Sequence, residues 1–527
     1  MIDRSSQLAA SVELSPPGLP RFKPIANAGL FMPALLTVVI ATGFLVLADS
    51  TLTWLILVVL GAGVMAATFL IGDIRRVMLF MFVVTIGIDI SKALIIPEGA
   101  YTPGLSLFPS DIFLVVLAGA WLFNHCLVIR ERLRLDRLHR IALAYLGWLW
   151  LAALYADDVL AGVLVAIIYS KFFLAYFIIS YYGTEPRIIR TILAGFFVGV
   201  MLQAGYVALQ MATGSPLEIQ GAKLTTVGTH LVYTAEDTYH VFRPAGFLHH
   251  PNVLADYLVF VLPTAVMLLM LGKRLVGGRV HIAAGAVFVL GSAMLVVTLA
   301  RGGWIAGAVA LTFAIAVGRK RLVSGRWGAA LVGAALTGAV VVALVYPQAY
   351  LRITQGDQRS TESRWALIDQ ALLIIRHNPI LGVGLGGYNS AAQFNIPESF
   401  SYVSAGFQKE LLTSVVHNKY LLVAAEQGVI GLLLLLLLLW RFSALLFPIG
   451  AWRDPGVLAI AIGVSAAIIG QAVFYLFDHF YADLRSEMLW VFFGLAHALQ
   501  RMRHGKDGTG SCAMTSSKPP QSRDAHQ

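Results

Sequence analysis

The sequence predicts an all-α polytopic membrane protein, and three observations carry that prediction. Of the 527 residues, 58% are hydrophobic and 13% charged, with mean hydropathy +0.77; soluble domains are roughly half apolar and a quarter charged. The apolar residues are gathered into runs long enough to cross ~30 Å of hydrocarbon. The basic residues fall in short clusters between alternate runs, which is how topology is written in a membrane protein. The formal net charge of +10 therefore reflects orientation, and no nucleic-acid motif accompanies it.

Apolar runs start near residues 30, 52, 77, 112, 141, 159, 191, 253, 282, 304, 327, 418, 457 and 486, giving about fourteen spans. Arg75 and Arg76, Arg130 to Arg140, Arg187 and Arg190, Lys273 to Arg279, Arg319 to Arg326, Arg441 to Arg453, and Arg501 to Lys506 then all fall on one side. By the positive-inside rule that side is cytoplasmic, and it holds both termini. The predicted organisation is a disordered tail at 1–28, a transmembrane bundle at 29–212, a first outer loop at 213–252, central spans at 253–346, a large outer loop at 347–417, C-terminal spans at 418–503 and a second disordered tail at 504–527. Pro16, Pro17, Pro20 and Pro24 with mixed charge, and no short apolar core before a cleavage site, distinguish the N-terminal stretch from a signal peptide.

Loops as long as the two outer ones are usually functional. The second contains a predicted helix from Glu362 to His377 with Leu367, Ala371, Ile374 and Ile375 at helical spacing, ended by Asn378-Pro379 because proline disfavours helix at the residue before it. The glycine-rich Leu381 to Tyr388 looks like a dinucleotide loop but lacks a surrounding strand-helix-strand unit. Its glycines are expected to let backbone approach the membrane surface or an anion closely. Cys126 and Cys512 provide neither a disulfide framework nor a metal ligand set. Asp89 and Lys92, three apart, are expected to pair on one helix. Lys171 and Asp256 lie in or near spans and are expected to line a cavity. Asp478, His479, Asp483, Arg485 and Glu487 fit a solvated outer turn without a metal-ligand spacing.

His417-Asn418-Lys419-Tyr420 opens an apolar run that passes through Gly428-Val429-Ile430-Gly431 to Trp440. At ~100° per residue, His417, Leu421, Ala424, Gly428 and Gly431 share a helix face, a seam of small side chains on which a second helix could pack. An ionisable group at the mouth of a span is a functional candidate, whereas Glu426 lies nearly opposite. Three outer arginines stand out by position: Arg243 before His249-His250-Pro251-Asn252, Arg301 in Ala300-Arg301-Gly302-Gly303, and Arg364 at the start of the loop helix. Guanidinium keeps its charge in apolar settings and forks onto phosphate oxygens, so these arginines suit a pyrophosphate. Asn252, opening a span, is expected to cap it.

His417-Asn418 followed by Gly428-Val429-Ile430-Gly431 is similar to the histidine motif of the bacterial O-antigen ligase and O-antigen polymerase superfamily. Arg364-Trp365, Asn378 to Gly384, Arg301-Gly302-Gly303 and Gly246 to Asn252 with Leu254-Ala255 resemble the segments that precede it, so the likeness covers 240–440. The resemblance implies a membrane glycosyltransferase of the C type with a polyprenyl-diphosphate-linked glycan as donor on the periplasmic face of the inner membrane. It implies no cofactor and no nucleotide sugar. It assigns the acceptor hydroxyl to His417 and the donor diphosphate to Arg243, Arg301 and Arg364, with Asn418, Gly428, Gly431 and Asn252 in support. The span count tilts this toward a polymerase of surface polysaccharide or exopolysaccharide, for which a chain-length regulator is an expected partner. A ligase passing finished glycan to lipid A core or protein would use the same scaffold. A flippase for the lipid-linked glycan would instead call for charged residues deep in the membrane.

Overall fold

The computed structural model describes residues 72–95, 104–129, 135–215, 217, 229–233, 238–248, 250–322, 333, 358–402, 408, 411–479 and 484–505. The spans expected near residues 30, 52 and 327, the tail expected at 1–28, residues 506–527 of the tail expected at 504–527, and His249 and Asp483 lie outside them. In chain order the elements are α1 (Ile74–Ile86), β1 (Lys92–Ile95), β2 (Leu105–Leu107), α2 (Pro109–Phe123), α3 (Arg137–Leu154), α4 (Val159–Tyr182), α5 (Pro186–Thr213), β3 (Thr229–Tyr233), β4 (Thr238–Phe242), α6 (Pro251–Leu271) and α7 (Lys273–Val276). They continue with α8 (Gly278–Val297), α9 (Arg301–Leu322), α10 (Gln358–His377), α11 (Tyr388–Ala392), α12 (Lys419–Ala444), α13 (Pro455–Phe474) and α14 (Leu484–Gly505).

Among the described residues eight helices, α2, α4, α5, α6, α8, α9, α12 and α13, are long and apolar enough to cross a membrane. They coincide with the runs expected near 112, 159, 191, 253, 282, 304, 418 and 457. The runs near 77, 141 and 486 are also helical, but α1 has 13 residues, about 20 Å at 1.5 Å per residue. The molecule is not purely helical. β1 pairs with β2, and β3 with β4, in two antiparallel hairpins. The first hairpin corrects the placing of Asp89 and Lys92 on one helix: α1 stops at Ile86, and Lys92 opens β1.

Helix α6 is the axis of the bundle, its apolar window wholly buried. Small residues let neighbours close on it. A Cβ placed at Gly463 of α13 would come within 2.5 Å of Thr264, and one at Gly303 of α9 within 2.7 Å of Ala255. Small side chains are how membrane helices gain van der Waals contact without a hydrophobic driving force. A second, smaller core joins Ala366, Leu367, Ala371 and Ile374 of α10 to Val416, Leu422 and Ala425 at the head of α12, as the α10 periodicity requires.

The seam on α12 is not one helix face, and this corrects the expectation of a second helix packing there. Gly428 has φ 65° and ψ −170° inside the helix, a backbone conformation confined to glycine. The chain at Ile380 lies against it, so close that a Cβ would sit 1.9 Å from the Ile380 carbonyl oxygen. Into this break the glycine-rich loop is sewn: Val429 N–H donates to Pro379, Val383 N–H to Ala425, Gly384 N–H to Glu426 and Leu385 N–H to Ala152, at 2.9–3.0 Å. Gly384, at φ 91°, lies where a Cβ would meet Ala156. The loop glycines thus serve close approach to the protein's own backbone. The bonds at Ala425, Glu426 and Val429 satisfy polar groups that the break in this helix would otherwise orphan.

Candidate active site at the heads of α12 and α13

The head of α12 is fastened to the end of α13. Asn418 caps α12, its Oδ1 accepting from Leu421 N–H at 3.1 Å, and its Nδ2 donates to the Leu476 carbonyl at 3.2 Å. Lys419 N–H donates to Tyr475 at 2.8 Å, and Tyr420 Oη–H to Ala472 at 2.6 Å. This stapling brings His417, one residue ahead of the cap, beside Asp478, with Nδ1 3.5 Å from Oδ1. The His479 ring lies 5.2 Å from the His417 ring, centroid to centroid.

Asp478 is buried, as is Arg243, and the two are joined through Asn252. Arg243 Nη2 donates to Asn252 Oδ1 at 2.9 Å, and Asn252 Nδ2 donates to Asp478 Oδ2 at 3.0 Å. Asp478 Oδ1 accepts from His479 N–H at 2.9 Å. Asn252 is therefore a bridge. The cap of α6 is His250, whose Nδ1 accepts from Asn252 N–H at 3.0 Å, because the asparagine side chain is turned inward to the arginine. Arg243 also donates from Nε to the Thr298 carbonyl at 2.8 Å. Thr298 precedes Leu299, a buried residue at φ 53°, a left-handed conformation that costs a residue with a Cβ about 1–2 kcal/mol. Arg243 holds this strained turn, and the turn delivers Arg301.

Arg301 is the first residue of α9 and is partly exposed. Its guanidinium has no hydrogen-bond or ion-pair partner among the described residues. The turn that carries it rests on the end of α13, where a Cβ at Gly302 would come within 2.7 Å of Phe477, the neighbour of Asp478. Arg364 is half-buried on α10, two residues before Ala366, which shares the smaller core with Val416, the neighbour of His417. So His417, Asn418, Asn252 and Arg243 form one connected chain, with Arg301 adjoining and Arg364 rooted in the same core. Gly428 and Gly431 lie down α12 at the loop joint, Gly431 against Gln427 and Trp148. Glu426 serves that joint too, its Oε1 accepting from Tyr388 N–H at 3.4 Å.

Two residues of this cluster escape the sequence. Asp478 and His479 were expected in a solvated turn, and so was Glu487, yet Asp478 is 5% and Glu487 0% exposed. Sixty-odd residues separate His417 from Asp478, too far for any spacing rule. The one available signal was an Asp-His pair ending a span that returns to the same side. The sequence also offers no metal spacing, whereas in space two groups gather ligand-type atoms within 4.8 Å: His417, Asp478 and His479, and Asp136, His139 and His497. Lys171 pairs with Asp111 at 2.9 Å and stands 3.9 Å from Glu487.

A multi-pass membrane protein with a polar histidine and arginine site built at the ends of its helices is the class that fold and site define. Residues 286–436 match the family model Wzy_C, O-antigen ligase, which supports the O-antigen ligase and polymerase superfamily as the family of this chain and implies an enzyme of glycosyl transfer. The match encloses Arg301, Arg364, His417, Gly428 and Gly431; Arg243, Asn252 and Asp478 lie outside it. No curated protein matches the chain.

Proposed function

We propose that this protein joins polyprenyl-diphosphate-linked oligosaccharides on the periplasmic face of the inner membrane, polymerising a surface polysaccharide or exopolysaccharide. The observation that carries the reading is the buried chain Arg243–Asn252–Asp478 ending beside His417, with Arg301 adjoining. In the reaction an acceptor sugar oxygen attacks the donor's anomeric carbon, the bond from that carbon to phosphate oxygen breaks, and lipid diphosphate leaves. His417 takes the hydroxyl proton as general base, within reach of a carboxylate that orients it. Charge grows on the departing diphosphate, and fixed guanidinium groups stabilise it there. Arg301 and Arg364 are assigned to that charge. Arg243, committed to Asn252 and Thr298, contributes field and position from behind them.

The polymerase assignment rests on span number and is separated from ligation by a null strain: single repeats left unpolymerised indicate a polymerase, and long chains held on carrier lipid indicate a ligase. The cluster of Lys171, Asp111 and Glu487 favours a second reading, a flippase for the lipid-linked glycan, because charged groups inside a membrane bundle line transport paths. Reconstitution of the purified chain with labelled lipid-linked glycan decides between them. Glycosidic bond formation supports the transferase, and transbilayer movement without bond formation overturns it.

A further inference from the structure

We infer that His417, Asp478 and His479 form a three-ligand site for a borderline divalent transition-metal ion, Zn2+ as the probe, and that metal and acceptor compete for His417. The competition rests on the proposed role of His417; the binding does not.

Donor type and spacing both point to this ion. Two imidazoles and one carboxylate are the ligand set that Zn2+ selects over hard cations, and three protein ligands leave a fourth position for solvent. With bonds of 2.0–2.1 Å, two ligands on a tetrahedral zinc stand ~3.4 Å apart. Here Asp478 Oδ1 is 3.5 Å from His417 Nδ1 and 4.0 Å from His479 Nε2, and all three atoms lie within 4.8 Å. Modest turns of the His417 and His479 rings, whose side chains are 39% and 20% exposed, close the remainder. His417 Nδ1 is itself a buried nitrogen without a hydrogen-bond partner among the described residues, aimed at the carboxylate. Asp478 is held from behind by Asn252, the kind of outer hydrogen bond that orients a metal-binding carboxylate.

The inner cluster makes the contrast. Around Asp136 all four ring nitrogens of His139 and His497 are already engaged, by Asp136, Ser180 and Tyr176. A metal there would have to break each bond, so that cluster is a hydrogen-bonded knot.

The test uses the full chain, purified in detergent and titrated with Zn2+ against a chromophoric chelator. About one Zn2+ per chain is expected, with affinity falling at least about tenfold in His479→Ala. A chain that elutes as wild type and binds less than half an equivalent overturns the site, as does unchanged affinity in His479→Ala; His479→Asn replaces the alanine variant if that chain does not fold. In the transfer assay, Zn2+ is expected to inhibit, EDTA to reverse it, and His479→Ala to need about tenfold more Zn2+. Zinc binding in a chain that transfers no glycan upholds the site and sinks the transferase reading. Transfer that is indifferent to bound zinc overturns the competition.

Discussion

Among the described residues two clusters have the same chemistry, an aspartate between two histidines, at different places in the bundle. Around Asp136, at the start of α3, everything is closed. Asp136 caps its helix through Leu138 and His139 N–H, and its other oxygen accepts from His497 Nε2 at 2.6 Å, tying α3 to α14. Burial pushes the Asp136 carboxyl up, but the bonds from His139 and His497 outweigh it and hold the group well below the usual carboxylate range. Around Asp478 the carboxylate is fixed, by Asn252 Nδ2 and by His479 N–H. His417 keeps a ring nitrogen without a hydrogen-bond partner among the described residues and a partly exposed face, and the turn that carries Arg301 rests on Phe477, next to Asp478. A knot whose hydrogen bonds are all made inside the fold serves stability; one left open at a single imidazole can serve a reaction.

Substitutions at four positions break or sharpen that contrast. His417→Ala should reduce glycan transfer by about two to four orders of magnitude with expression and thermal midpoint near wild type; normal polymer at equal expression would place the base elsewhere. Arg301→Gln should cost about a hundredfold in turnover, and Arg301→Lys should recover part of it, because charge survives while the fork is lost. Equal activity in the two variants would mean that Arg301 does not meet the diphosphate. Asp478→Asn should lower turnover by about tenfold, as loss of an orienting carboxylate does, with Asp478→Glu partly restoring it. An unaltered rate in Asp478→Asn would detach the carboxylate from catalysis.

Asp136→Asn is the smallest effect and of the opposite kind. Transfer should be unchanged while the thermal midpoint falls by ~2 °C at neutral pH, a modest figure because the side chain is 39% exposed. The sign follows from linkage. A carboxyl lowered by folding adds stability that is complete above its unfolded value near 3.9 and is lost as pH falls through the lower folded value. The gap between wild type and variant should therefore close in acid, and a gap that widened there would contradict the assignment.

What the sequence could disclose followed from how local each feature is. Hydropathy runs of about twenty residues are local, and among the described residues eight of them reappear at the expected places as helices long and apolar enough to cross a membrane. Helix α10 and its stop at His377 are local as well, written in the spacing of Leu367, Ala371 and Ile374 and in Pro379. The arginines and His417 were visible by position at span ends. Hidden was every feature that needs two distant segments to meet. Asn252 looks like a cap until Arg243 and Asp478 are seen on either side of it. Gly428 looks like part of a packing stripe until Ile380 is found inside the helix break. Asp478 passes for solvated turn because nothing near it in the chain says that α12 will bury it.

The loop stitched through the Gly428 break sets where this molecule can be cut and recombined. Segments 379–385 and 425–429 exchange backbone hydrogen bonds, so they are one inheritance unit despite the forty residues between them. A hybrid that takes the outer loop from one parent and the upper part of α12 from another would pair an intruding strand with a helix that has no gap for it. Crossovers placed before α10 and after Gly431 keep the two halves together.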